Sequence, residues 1–227
     1  MHGLPPPPRG SRAYRVAKAV LGKPLRLLYR VEVQGADNLP ADGPIILAAN
    51  HRSFMDSIFL ALTSPRPVSF IAKAEYWDRP VSRWIFRGIG AIPLRRGSPA
   101  AARQALEAAS GVLANGGTLG IYPEGTRSRD GKLHRGNPGP ARLSRDTGAA
   151  IIPVGLIGTD DVQSPGERLP RPFRTVTVRF GTARRFPPCD GADSKRMLRD
   201  ETNGLMQDIA ALCGQEYVDR FAPVPVG

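Results

Sequence analysis

Pro44-Ile45-Ile46-Leu47-Ala48-Ala49-Asn50 is an unbroken apolar run that stops on a polar residue, and His51-Arg52-Ser53-Phe54-Met55-Asp56 follows at once. A short run with no alternation of apolar and polar positions is the pattern of a strand covered on both faces. Such strands occur where helices flank a sheet, so the stretch argues for an α/β domain. Its abrupt polar end places a cluster of reactive side chains after a buried strand, where α/β proteins tend to build sites.

The pattern recurs along the chain. Val68–Ala72 (VSFIA), Thr118–Tyr122 (TLGIY) and Ala150–Ile157 (AIIPVGLI) read as further strands, and VEVQG from Val31 alternates. Thr175–Phe180 (TVTVRF) alternates more openly, which predicts an edge strand. Ala100–Ala114 has Leu106, Ala109 and Leu113 on one side of a helix, with Asn115-Gly116-Gly117 as its stop. An aromatic stretch around Trp84 and Phe86, ending at Gly88 or Gly90, also reads as helix, as does Ser194 to about Phe221. Strands alternating with helices predict one domain with a largely buried sheet flanked by helices.

From Ser11 to Arg30 the apolar residues Tyr14, Ala17, Val20, Leu21, Leu25 and Leu28 recur at near-helical intervals between arginines and lysines. Gly22 and Pro24 interrupt the pattern and predict two short helices suited to the headgroup layer of a membrane. A helix covering part of the core, its charged face in water, fits the same pattern. Residues 1–30 are therefore set apart as a basic amphipathic segment from a domain over 31–227.

Lys and Arg number 32 against 20 Asp and Glu, a net charge of +12, which favours an anionic partner. The basic residues have no aromatic interleaving and no nucleic-acid motif, so nucleic acid is not the expected partner. Cys189 and Cys213 lie far apart, and His2, His51 and His134 have no ligand spacing, so no metal site and a reducing compartment are expected. No apolar run reaches the roughly eighteen residues of a membrane span. The opening residues lack the apolar region of a secretory signal, which predicts a cytoplasmic location.

Three polar clusters carry candidate chemistry. His51 and Asp56 are five positions apart; in a helix they would point about 140° from each other. They meet only if His51 sits in the turn and Asp56 in the first helical turn. The carboxylate then holds one ring nitrogen and leaves the other as a base. A surface histidine and a helix-capping aspartate would give the same letters. Ser53 is a possible nucleophile, but its spacing is not that of a nucleophile elbow. Pro123-Glu124-Gly125-Thr126-Arg127-Ser128 combines a carboxylate, a glycine, a hydroxyl and a guanidinium, suited to a polyol phosphate. A tight turn closed by a Glu124–Arg127 ion pair is the alternative. In Gly90-Ala91-Ile92-Pro93-Leu94-Arg95-Arg96-Gly97, Arg96 suits a phosphate, or the segment is a solvated basic turn.

Together these segments resemble the lysophosphatidic acid acyltransferase family (1-acyl-sn-glycerol-3-phosphate acyltransferases). NHRSFMD matches its N-H-x-S-x-x-D block, GAIPLRR its glycine-to-arginine block, PEGTRS its third block, and AAIIPV with Pro153 its fourth. The chain departs from the family after the third block, where His134 stands in place of the usual aromatic residue. The resemblance implies a mixed sheet, a glycerol-3-phosphate acyltransferase-like fold and an N-terminal helical element docked on the membrane. It also implies that His51 deprotonates the acceptor hydroxyl, that Asp56 orients His51, and that Arg96, Glu124, Gly125, Thr126 and Arg127 bind the acceptor. The donor would be acyl-CoA or acyl-carrier protein, the acceptor lysophosphatidic acid or glycerol 3-phosphate, and no cofactor or metal is implied. The expected location is peripheral, on the cytoplasmic face of an anionic membrane. Another lysophospholipid or a glycolipid as acceptor, a thioesterase, and a non-catalytic basic protein of membranes or nucleic acid are the competing readings.

Overall fold

Ile45–Ala49 forms strand β2 in the computed structural model, with all five residues fully buried. The structure describes residues 12–74, 78, 91–94, 99–187 and 194–223. The expected helix around Trp84 and Phe86, with Arg95, Arg96 and Cys189, lies outside them. Along β2 the side chains divide by a period of two. Ile45, Leu47 and Ala49 pack into one apolar cluster with Phe59, Ile152 and Val176, while Ile46 and Ala48 pack into another with Leu113, Ile151 and Leu205. A strand with a core on each face has no polar position to alternate with. Each large side chain so buried contributes about 1.5–3 kcal/mol.

Before β2 come α1 (Arg12–Leu28), β1 (Arg30–Gln34) and a 3₁₀ turn (Ala36–Asn38). After it come α2 (Met55–Thr63), β3 (Val68–Lys73), β4 (Ile92–Leu94), α3 (Pro99–Ala114), β5 (Thr118–Ile121), β6 (Leu133–His134), α4 (Gly139–Thr147) and β7 (Ala150–Ile157). The short α5 (Thr159–Val162), then β8 (Thr175–Phe180), α6 (Ser194–Cys213) and β9 (Tyr217–Val218) complete the described elements. The main sheet has the order β1-β8-β7-β2-β5-β3-β4. β2 runs parallel to β5 and β7, β5 to β3, and β3 to β4, whereas β8 is antiparallel to β7 and parallel to β1. The sheet is thus mixed and flanked by helices, as expected. β6 and β9 pair separately.

Three elements differ from the sequence reading. β8 is not an edge strand: it lies between β1 and β7. Its alternation has another cause, since Val176, Val178 and Phe180 enter the core while Thr175 is exposed and Thr177 and Arg179 are only half-buried. α1 is one helix with Pro24 inside it. Pro24 and Val20, whose carbonyl loses its N–H partner to the proline, are both exposed, so water can satisfy that carbonyl. Gly22 is a packing position; a Cβ there would lie 2.9 Å from Leu62 Cδ1. Tyr14 donates to Ala61 O at 3.3 Å and Lys18 to Ser64 O at 2.5 Å, holding α1 on the end of α2. The C-terminal helix stops at Cys213, because Gly214 takes the left-handed conformation (φ 73°) that ends helices.

The amino ends of the central strands are gathered by Arg66. Its guanidinium donates to the carbonyls of Pro40 (3.0 Å), Gly43 (2.6 Å) and Gly116 (2.9 Å). The carboxyl ends of β2 and β5 are left to carry the polar clusters. Among the described residues no helix is long and apolar enough to cross a membrane.

Candidate active site

β2 ends where Asn50 replaces the sheet ladder with its side chain. The carboxamide donates to Leu156 O at 2.9 Å, accepts from Leu156 N at 2.7 Å, and donates to Gln215 Oε1 at 2.7 Å. The chain turns there, and α2 begins four residues after His51 with Asp56 in its first turn, where the helix dipole favours a carboxylate. Asp56 is fully buried, and one oxygen, Oδ2, accepts from Arg52 N (2.7 Å), Ser53 N (2.7 Å) and the Nδ1–H of His51 (2.8 Å). Two backbone donors already aimed at that oxygen make it an acceptor, so the proton of the third contact belongs to the ring. Nε2 of His51 is then the nitrogen with a free lone pair.

The imidazole lies flat on Tyr122, with ring centroids 3.8 Å apart and planes 9° from parallel. The Tyr122 hydroxyl shares a 2.8 Å hydrogen bond with Ser57 Oγ. Burial, and then the charge of Asp56, hold the phenol well above its ordinary range, so it stays neutral. The sequence reading places Tyr122 only at the end of a strand and gives its ring no role, because stacking depends on where β5 ends relative to β2.

Glu124 links two histidine-bearing segments through their backbones. Its Oε1 accepts from His51 N at 3.0 Å and its Oε2 from His134 N at 3.1 Å. The side chain is 4% exposed. Burial pushes its carboxyl up to about 7; the two N–H bonds oppose this, and the charge of Asp56 adds to it. The Glu124–Arg127 ion pair is not formed: Glu124 directs its oxygens to backbone and Arg127 is exposed. Gly125 completes the turn at φ 73°, donating to Tyr122 O at 3.0 Å. Thr126 is buried, and Ser128 N donates to His51 O at 2.7 Å. The PEGTRS loop thus packs directly on the turn that carries His51 and Asp56. Arg96 lies outside the described residues.

Ser53 is not placed as a nucleophile. It is fully buried, donates to Gln163 O at 2.7 Å and accepts from the N–H of Met55, the first residue of α2, at 3.1 Å. Arg52 pairs with Asp160 at 2.7 Å. His134, where the resemblance leads one to expect an aromatic residue, is likewise buried, with Nε2 3.0 Å from Asp130 Oδ1. That bond pulls the half-exposed Asp130 carboxyl down to about 2.

The pattern of an acyltransferase family model matches residues 30–157. The chain is 32% identical over 139 residues to a chloroplastic 1-acyl-sn-glycerol-3-phosphate acyltransferase of Arabidopsis thaliana, covering 61% of this chain and 39% of that one. A 1-acyl-sn-glycerol-3-phosphate acyltransferase of Borreliella burgdorferi is 30% identical over 132 residues, covering 58% and 53% respectively. The chain therefore spans about two fifths to one half of these relatives. The crystal structure of the 1-acyl-sn-glycerophosphate (LPA) acyltransferase PlsC from Thermotoga maritima superposes with a TM-score of 0.66 at 28% identity, covering 89% of this chain and 84% of that one. The matched region holds both halves of the His51–Asp56 pair and the whole PEGTRS loop, and the chain belongs to the acyltransferase family.

Proposed function

We propose that this chain moves a fatty acyl group from the thioester of acyl-CoA or acyl-carrier protein to the free hydroxyl of lysophosphatidic acid or glycerol 3-phosphate. The observation that carries the reading is the 2.8 Å contact of His51 Nδ1 with the buried carboxylate of Asp56, which leaves Nε2 as a base. In this mechanism Nε2 takes the proton of the acceptor hydroxyl as its oxygen attacks the thioester carbonyl. A C–O bond forms, the C–S bond breaks, and the imidazolium returns the proton to the leaving thiolate. Asp56 stabilises the imidazolium between these steps.

The names of the relatives support a lysophosphatidate acceptor. Arg127, exposed beside the catalytic turn, and Arg96 suit its phosphate. A peripheral site on the cytoplasmic face of the cell membrane fits the outward face of α1. There Val16, Val20 and Leu27 are 60, 63 and 83% exposed, beside exposed Arg15, Lys23 and Arg26.

Thiol release from acyl-CoA, measured with lysophosphatidic acid and with the same acceptor lacking its phosphate, tests the proposal. The phosphate-bearing acceptor should be strongly preferred, and His51→Ala should abolish transfer while the variant stays folded. Release at one rate with or without acceptor would make the chain a thioesterase, and an active His51→Ala variant would remove the mechanism.

A further inference from the structure

The connection between α5 and β8 carries two large apolar side chains that the acyl-transfer site does not use. Leu169 is 81% and Phe173 78% exposed. The loop is nonetheless well held. Arg171 N donates to Val162 O at 2.7 Å, closing it on itself, and Gln163 Nε2 donates to Glu167 O at 3.1 Å. Phe173 has φ 59°, the one non-glycine residue among those described with positive φ. A bulky aromatic in this left-handed region is strained, and asparagine or glycine would sit there more easily. The structure therefore holds an aromatic ring in water on a backbone that disfavours it.

The surroundings indicate what covers the ring. Arg168, Arg171 and Arg174 flank the two apolar residues and are exposed; Glu167 pairs with Arg171. At its far end the loop joins α1: Phe173 N donates to Leu28 O at 2.8 Å, and Arg30 N donates to Arg174 O at 3.0 Å. Leu27, on the outward stripe of α1, is 83% exposed, and Leu28 is 41% exposed. At its near end the loop leaves α5 in contact with the His51–Asp56 turn, where Ser53 Oγ donates to Gln163 O at 2.7 Å. Apolar tips set among arginines are suited to an anionic lipid surface, where the apolar groups enter the acyl boundary and the guanidiniums meet headgroup phosphates.

We infer that the Gln163–Arg174 loop is a second membrane-docking element, which inserts Leu169 and Phe173 beside the end of α1. This rests on the lipid-acceptor reading above and goes beyond it. A single surface helix can roll about its axis, whereas a helix and a loop side by side define a plane. That plane sets the catalytic turn, which contacts the root of the loop, at one orientation to the bilayer.

Sedimentation of the full chain with vesicles of phosphatidylglycerol and phosphatidylcholine, in the absence of substrate, tests this. Leu169→Asp and Phe173→Asn should each lower partitioning, and the double variant should lower it about tenfold or more. Acyl transfer to a short-chain, monomerically soluble acceptor should be unchanged. Phe173→Asn should melt at the same or a higher temperature, because asparagine tolerates the left-handed backbone. Unchanged partitioning of the double variant would overturn the inference. So would a lower melting temperature with joint loss of soluble-substrate activity, which would make the loop a structural part of the fold. Because binding is measured without turnover, His51→Ala should partition like the parent chain. A failed acyl-transfer assay and a failed docking loop are thereby told apart. Loss of affinity for duplex DNA, with vesicle partitioning unaltered, would likewise overturn it.

Discussion

Glu124→Gln separates two roles for this carboxylate: brace of the catalytic turn, or partner of the acceptor's hydroxyl. In the structure its oxygens accept from the backbone N–H groups of His51 and His134, at 3.0 and 3.1 Å. An amide offers one oxygen and one NH₂, so one of those N–H groups would face a donor, at a cost of about 1–3 kcal/mol. The carboxylate carries its own cost. Burial outweighs the two N–H bonds and raises the group from 4.5 to about 7. At neutral pH and above, the difference corresponds to about 3 kcal/mol against the ionised form. Because the folded state binds this proton more tightly than the unfolded chain, the associated stability is complete below pH 4.5 and is lost as the pH rises through about 7. Glutamine does not titrate. The variant should therefore trail the parent by about 1–3 kcal/mol in acid and draw level above about pH 7, as read by chemical denaturation across that range.

Activity should respond differently. With the catalytic turn no longer held, kcat for thiol release should fall at least about tenfold, while KM for the acceptor should change less than about threefold. Saturating donor and varied lysophosphatidic acid separate the two constants. A tenfold rise in KM with kcat unchanged would refute the brace and return Glu124 to the acceptor site. A gap in stability that does not narrow with rising pH would refute the account of its burial.

Asp56→Asn replaces one charged acceptor of three hydrogen bonds by a neutral one. Denaturation should show a loss of about 2–3 kcal/mol, and kcat/KM should fall on the order of 10²–10⁴-fold; a loss of only a few-fold would separate His51 from its aspartate. Tyr122→Phe keeps the stacked ring and gives up the bond to Ser57, so it should cost about 1 kcal/mol and leave activity within about threefold. Tyr122→Leu removes the stack and should lower kcat about tenfold, whereas equal activity in both variants would deny the ring a positioning role. Gly125→Ala forces a side chain into φ 73° and sets its Cβ 3.2 Å from Asn137 Nδ2. The conformation alone costs about 1–2 kcal/mol, a drop of several degrees in Tm by calorimetry.

What was legible in the sequence follows from what each residue reports about itself. The runs at Ile45 and Ala150 could be read as doubly covered strands because burial on two faces erases the polar alternation. The His51–Asp56 contact could be read because helix geometry allows it in only one arrangement. Glu124 could not, because its partners are backbone N–H groups, 73 and 10 positions away, that every residue type carries. Neither could the ring under His51, which depends on the pairing of β2 with β5, Ala48 opposite Ile121. TVTVRF misled because one-sided cover in mid-sheet leaves the same alternation as an edge. Pro24 misled because a helix can keep a proline where the carbonyl it frees faces water. The reading of helix to about Phe221 passed over Gly214, whose left-handed backbone ends α6 at Cys213.

The clasp made by Arg66 divides the molecule into a working pole and a quiet one. His51, Tyr122 and Glu124 all leave the carboxyl ends of β2 and β5, while Arg66 ties together the turns at their amino ends. Ala41 and Asp42, exposed in one of those turns, lie at the quiet pole. A fluorophore, a short peptide insert or a bead tether attached there would leave the His51–Asp56 turn untouched, giving a handle from which single molecules can be tested for the acyl transfer proposed above.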